Sequence, residues 1–276
     1  MGFIITLYTN ATLITDKIKE LLIKYPPHKI GVTVYGSCPE VYEKVCGNKN
    51  AFYKMMKGIQ FLKTLPSKIE ARCTVIKDNY NDIDNIENLV KREFGEKSTL
   101  IQSRMVYKPV RGACGDVESC RLTPKENVRL FLRRGLDEVK KAVERDGLDI
   151  NSVSLKFERQ KYEASENASK KDKLTLLGCD GGMDSYTISW DGKLLGCQML
   201  ENFYTEPFKV GFEKAWKIYP FEVKIPKFDD ECLKCEHSEI CNACYACRYA
   251  ETGSLSGVPK YVCDDLKELL GLIKIQ

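Results

Sequence analysis

Through roughly the first hundred residues, the apolar positions switch between a period of two and a period near 3.6, which predicts strands and helices in alternation. Phe3 to Thr9 is a β-rich run. Thr15-Asp16 then caps a stretch in which Ile18, Leu21 and Leu22 recur at helical spacing until Pro26-Pro27 stops it. Lys29 to Tyr35 is the next strand. Ala51 to Leu65 is a helix with Phe52, Met55, Met56, Ile59 and Phe61-Leu62 on its buried side, ended by Pro66. Ile69 to Ile76 is a strand, Ile83 to Phe94 a helix and Thr99 to Val106 a strand. Strands joined in this way by helices predict parallel pairing through right-handed crossovers.

The pattern then changes. Arg111 to Leu122 is a loop bearing glycine and cysteine, and Thr123-Pro124-Lys125-Glu126 has the threonine, N1 proline and N3 glutamate of a capping box. A long amphipathic helix follows, with Val128, Leu130, Leu132, Leu136, Val139 and Val143 as its apolar stripe up to about Gly147. Ser152 to Phe157 reads as a further strand and Ser165 to Lys173 as an exposed linker, so a domain boundary falls near Lys173. Beyond it, alternation on either side of Asp191-Gly192 predicts a hairpin, which would present Cys197 close to Cys179. Phe212 and Trp216 are expected to pack as core beneath a short helix.

Composition narrows the class. In 276 residues, 43 Lys+Arg are intermixed with 39 Asp+Glu for a net charge of +4, which leaves no basic stripe and argues against a nucleic-acid partner. The cluster Lys170, Lys171, Lys173 reads as a solvated loop. The opening Met-Gly-Phe-Ile-Ile has no basic region and no apolar run long enough for a signal peptide or a membrane span, so the expectation is a cytoplasmic chain with no membrane partner. His28 and His237 offer no nucleophile or acid–base pairing, which argues against classical hydrolysis.

The cysteines carry the chemistry. Eight of thirteen lie in the last hundred residues: Cys179, Cys197, Cys232, Cys235, Cys241, Cys244, Cys247 and Cys263. Cys232-x2-Cys235-x5-Cys241-x2-Cys244-x2-Cys247 puts five thiolates into sixteen residues, a spacing no hydrophobic core requires. In a reducing compartment such pairs are metal sites rather than disulfides. Eight thiolates make two sets of four, enough for two cubane [4Fe-4S] clusters or two closed zinc sites, and spacing alone leaves both open. Cys38, Cys46, Cys73, Cys114 and Cys120 lack ligand spacing and read as small buried residues or spares.

The order Cys179-x12-Gly192-x4-Cys197, gap, Cys232-x2-Cys235-x5-Cys241, a nearby further cysteine, gap, Cys263 resembles the SPASM domain at the C-terminus of many radical S-adenosylmethionine (SAM) enzymes. The segments around Thr9-Asn10, Thr33-Val34-Tyr35-Gly36, the Phe52 helix and Arg72 to Asn79 resemble later strands and helices of the radical SAM barrel, so the resemblance covers nearly the whole chain. It implies an α/β fold: a partial (β/α) barrel over residues 1–122, a helical connection and linker over 123–173, and a small cysteine-rich α+β domain over 174–276. The family's Cys-x3-Cys-x2-Cys motif has no match among these residues. At about 30 residues per β/α unit, the resemblance implies roughly 100 residues before Met1.

The resemblance also implies roles. One auxiliary [4Fe-4S] cluster would take Cys232, Cys235, Cys241 and Cys263; the other would take Cys179, Cys197 and Cys244, with Cys247 as an open choice for the fourth position. The family places three residues between the third and fourth cysteines of this run, where Tyr245 stands here. Arg72 would face SAM's carboxylate, Thr33 the cofactor, and Asn10 and Asn79 the active-site loops, each with an ordinary reading as ion pair, strand residue or turn cap. SAM and a third [4Fe-4S] cluster would belong to a full-length form only. The expected function is a peptide-modifying oxidoreductase acting on a ribosomally made peptide or protein side chain, with a flavodoxin or ferredoxin as reductant. A zinc-stabilised binding module and a degenerate cluster-binding module are the alternatives.

Overall fold

Alternation sets the first sheet. The computed structural model describes residues 2–108, 115–133, 135, 177, 179–222, 226–238 and 240–272. Cys114, the expected helix positions Leu136, Val139 and Val143, the expected strand Ser152 to Phe157 and the linker Ser165 to Lys173 lie outside them. The chain divides into two units, Met1–Val106 with Asp116–Leu122, and Tyr107–Gly115 with Thr123–Gln276.

In the first unit β1 (Thr6–Thr9), α1 (Asp16–Lys24), β2 (Lys29–Thr33), α2 (Pro39–Cys46), α3 (Asn50–Leu62), β3 (Lys68–Thr74), α4 (Lys77–Tyr80), α5 (Ile83–Phe94), β4 (Leu100–Ser103) and α6 (Val117–Cys120) follow in order. The strands pair in sequence order, β1-β2-β3-β4, all parallel, with Val32 opposite Ala71 and Thr33 opposite Arg72. Sequential parallel order is the arrangement of a (β/α) barrel wall rather than of a doubly wound sheet. Alternate residues Ile30, Val32, Ala71 and Cys73 are buried, as are Met55, Ile59 and Leu62 on α3 and Ile86, Leu89 and Val90 on α5. The other residues of the same strands, Tyr8, Lys29, Thr33, Glu70, Arg72 and Thr74, form a more exposed polar face. Thr15 caps α1 as expected, accepting from the Ile18 N–H. Of that helix's apolar residues Leu22 is buried while Ile18 and Leu21 are exposed, and β1 is an outer strand of the sheet.

The loop expected between Arg111 and Leu122 contains the single-turn helix α6, capped by Asp116. In the second unit Thr123 and Glu126 close the capping box: Thr123 N–H donates to Glu126 Oε2 at 2.8 Å, and Glu126 N–H to Thr123 Oγ1 at 3.3 Å. Residues 124–133 are helical (α7). Next come β5 (Thr187–Ile188), β6 (Leu194–Leu195), β7 (Tyr204–Thr205), α8 (Pro207–Val210), α9 (Phe212–Glu222), α10 (Asp230–Leu233), α11 (Tyr245–Thr252) and α12 (Lys260–Leu272). The hairpin forms as expected, β5 antiparallel to β6, with Gly192 at a φ of 82° in its turn. Among the described residues one core cluster is Leu177, Leu194, Leu200, Ala215, Tyr219, Ala246 and Leu255, and Val128, Leu130, Leu195 and Tyr261 are buried as well. Trp216 packs against this core as expected, while Phe212 departs from expectation, being 45% exposed, because α9 turns Ala215 and Tyr219 inward; both rings flank Tyr186, with centroids 5.5 and 5.0 Å from it.

Candidate metal centres and the polar sheet face

Cys232 lies on α10, a single turn capped by Asp229, and Cys235 follows it across a tight turn in which its N–H meets the Cys232 carbonyl at 3.4 Å. Cys263 comes from α12, where burial pushes its thiol up and charge on Cys241 and Cys232 pushes it further, so these three sulfurs share one field. Among them sits Arg248 of α11, buried at 4% exposure. Its Nη1 donates to Cys232 Sγ and to the Gly257 carbonyl, each at 3.0 Å, and its Nε donates to the Ala243 carbonyl at 3.2 Å. Its guanidinium lies 4.2 Å from the centroid of the Phe228 ring.

The second group gathers at the hairpin. A Cβ added at Gly181 would stand 2.7 Å from the Gly196 carbonyl oxygen and 3.3 Å from Cys179 Sγ, so glycine there lets the Cys179 turn approach the strand that leads to Cys197. Cys197 and Cys244 both pack on the small core. Cys244 is the N-cap of α11, its sulfur accepting from the Cys247 N–H at 3.5 Å, while the Cys247 thiol donates to the Cys244 carbonyl at 3.1 Å. The Cys247 thiol, with the backbone N–H groups of the helix start, holds Cys244 down at about 6; Cys247, bonded to Cys244 and buried, is pushed up. Tyr219 is wholly buried, and its hydroxyl, lying against Gly196, finds no hydrogen-bond partner among the described residues. An orphaned buried donor beside Cys197 suits a group with acceptor sulfur.

Among the described residues no three His, Cys, Asp or Glu side chains converge on a single-ion site. A cubane takes one thiolate at each iron and spreads its ligands further apart, so the two looser groups, with a buried donor beside each, fit clusters of that kind. Cys38, Cys46, Cys73 and Cys120 lie in the first unit, Cys73 buried with its thiol raised to about 12 by burial first. Cys46 departs from the expected burial: it is exposed.

The polar sheet face gathers the expected SAM residues unevenly. Arg72 and Thr33 are register neighbours on β3 and β2. Arg72 Nη1 contacts Glu70 Oε1 at 2.9 Å, and its guanidinium lies 5.0 Å from the Tyr8 ring. Burial raises the Glu70 carboxyl, yet the bonds and charges of Lys29 and Arg72 outweigh it and hold the group below its ordinary range. Asn10 accepts from the Thr12 N–H and hydroxyl at 3.1 and 2.8 Å, closing the turn after β1. Asn79, with no exposure, accepts from the Ile76 N–H at 2.8 Å and donates to the Tyr35 and Thr74 carbonyls at 3.0 and 3.1 Å, which fastens the ends of two strands together. Sequence reasoning missed Glu70, Arg248 and Tyr219. For Glu70 a signal existed, because polar residues at 68, 70, 72 and 74 alternate along β3.

No family model matches the chain. It is 26% identical over 259 residues to an AdoMet-dependent heme synthase of Methanosarcina barkeri, covering 91% of this chain and 72% of that protein. Among solved structures it is similar to native anSMEcpe with bound AdoMet and Kp18Cys peptide, at a TM-score of 0.58 and 17% identity over 96% of this chain and 72% of that one. It is also similar to Streptococcus suis SuiB bound to precursor peptide SuiA, at a TM-score of 0.57 and 15% identity over 94% of this chain and 58% of that one.

Proposed function

Since the chain is a member of the radical SAM family in sequence relationship and fold, we propose that it is an iron–sulfur oxidoreductase component that acts on a peptide. The observation that carries this reading is the pair of cysteine groups in the second unit, each with a buried polar donor beside it: Arg248 on Cys232 Sγ, and the unpartnered Tyr219 hydroxyl beside Cys197. Cys232, Cys235, Cys241 and Cys263 would hold one [4Fe-4S] cluster; Cys179, Cys197, Cys244 and Cys247 would hold the other. When bound, such clusters exchange single electrons at a potential set by burial and by hydrogen bonds to sulfur. The residues of this chain then have distinct tasks. Arg248 compensates thiolate charge, Cys244 enters as a ready thiolate at a helix start, and the short hairpin brings the Cys197 segment up to the Cys179 turn.

On the polar face, Arg72 and Thr33 would receive SAM, Arg72 exchanging Glu70 for the ligand's carboxylate. With no Cys-x3-Cys-x2-Cys among its residues, the 276-residue chain is expected to release no 5′-deoxyadenosine from SAM and dithionite on its own. Peptide substrates are supported by the peptides bound in anSMEcpe and SuiB. The relation to a heme synthase favours a second reading, a tetrapyrrole substrate.

Anaerobic reconstitution followed by elemental analysis tests the clusters. About eight irons with acid-labile sulfide per chain are expected from two four-iron clusters; stoichiometric zinc without sulfide overturns the reading. For the substrate, a shift of the Soret band when a porphyrin is added to the reconstituted protein would favour the tetrapyrrole, and an unchanged band the peptide.

A further inference from the structure

We infer that Arg248 is a positioning and tuning residue for the Cys232, Cys241 and Cys263 site, raising the reduction potential of the group bound there by hydrogen bonding to Cys232 Sγ. The inference rests on the iron–sulfur reading above and goes beyond it to a residue that is no ligand. Arg248 is 4% exposed, and a guanidinium keeps its charge at any ordinary pH, so the fold holds a cation inside the second unit. Such a charge is costly unless paired. Its donors go to two backbone carbonyls and one sulfur, and that sulfur is the only one of the three acceptors able to carry a formal negative charge. The Phe228 ring covers the guanidinium on one side and fixes its plane.

Three consequences follow from this geometry. The fork joins Cys232 on α10 to the segment just before α11 through Ala243, and to the turn before α12 through Gly257, so it sets where the Cys232 sulfur stands relative to Cys241 and Cys263. The charge offsets the negative charge that ligation would leave on the Cys232 sulfur. Once a cluster is bound, adding an electron makes it more negative, and a fixed cation bonded to a ligand sulfur stabilises that reduced form more than the oxidised form. Loss of the cation therefore lowers the potential.

The test uses the full reconstituted chain with Arg248→Gln and Arg248→Lys, read by redox titration followed by electron paramagnetic resonance, iron retention against a chelator, and circular dichroism. The expected order of potential for one of the two reductive transitions is native, then Arg248→Lys, then Arg248→Gln, with the Gln variant losing iron on the order of tenfold faster. The inference is overturned if Arg248→Gln titrates at the native potential. It is also overturned if both variants lose iron and secondary structure alike, since that marks a backbone strut. A native chain that binds no iron and sulfide would instead defeat the parent reading, a result visible before any variant is made.

Discussion

The two units of this chain are stabilised by different means. In the first, Ile30, Val32, Met55, Ile59, Leu62, Ile83 and Ile86 are each at 0–1% exposure between a four-stranded sheet and its helices. Each such side chain contributes about 1.5–3 kcal/mol by leaving water. In the second, the strands among the described residues are two residues long, and the cluster around Leu194 and Tyr219 includes two alanines. Cys197 and Cys244 pack against that cluster, and eight cysteines lie between residues 179 and 263. The difference teaches that the first unit is specified by apolar packing, whereas on the cluster reading proposed above the second would draw its stability from what its sulfurs bind, since binding to the native state alone is folding free energy.

The sharpest way to break the comparison is to remove the metal. Anaerobic chelation is expected to abolish slow amide exchange in α10, α11 and α12 while β2 and β3 stay protected; equal loss in both units would show one shared dependence. Cys235→Ala comes next, because it removes one expected ligand and leaves three. About half the iron should go, and residues beyond 226 should become open to protease while the first unit resists. Retained circular dichroism and protease resistance beyond residue 226 in that variant would mean that the second unit stands without its sulfur centre.

In the opposite direction, Ile59→Ala should cost about 2–5 kcal/mol in the unfolding of the first unit, read by urea titration, and leave the iron content unchanged. Asn79→Ala, which strands the Ile76 N–H and the Tyr35 and Thr74 carbonyls, should cost less, about 1–3 kcal/mol. A fall in iron content in either variant would tie the sheet unit to the sulfur centre.

The same difference explains what the sequence revealed. Period-two and period-3.6 patterns report apolar packing, so the four strands and the helices α1, α3 and α5 of the first unit were legible from residues such as Val32, Met55 and Ile86, with strand ends shortened where pairing stops. Helix α2 is short and its N-cap, Cys38, makes no side-chain bond, so Pro39, Glu40, Lys44 and the Gly47 C-cap were its signals and were not read as a helix. In the second unit spacing identified the cysteines but not their neighbours. Arg248 reads as an arbitrary basic residue beside Cys247 until the fold brings Cys232 and Gly257 to it, and Tyr219 reads as one more aromatic beside Trp216.

The smallest effect separates the two sulfur groups. Arg248 offers Cys232 a charged donor, whereas a buried donor beside Cys197 is the neutral Tyr219 hydroxyl, unpartnered among the described residues and raised above its ordinary range chiefly by burial. Hydrogen bonds from a charged group exceed those from a neutral one about twofold. Tyr219→Phe keeps the ring in its place and deletes a hydroxyl with no hydrogen-bond partner among the described residues, so stability should change by less than about 1 kcal/mol and both clusters should load fully. What should change is one reductive transition, moved to lower potential by a smaller step than in Arg248→Gln and distinct from the transition which that variant moves. If Tyr219→Phe and Arg248→Gln shift the same transition, the two cysteine groups do not form separate centres and the ligand sets assigned above must be redrawn. If Tyr219→Phe shifts neither, the hydroxyl is an unpaired passenger of the core, and the second group owes its potential to Cys244 and its helix start.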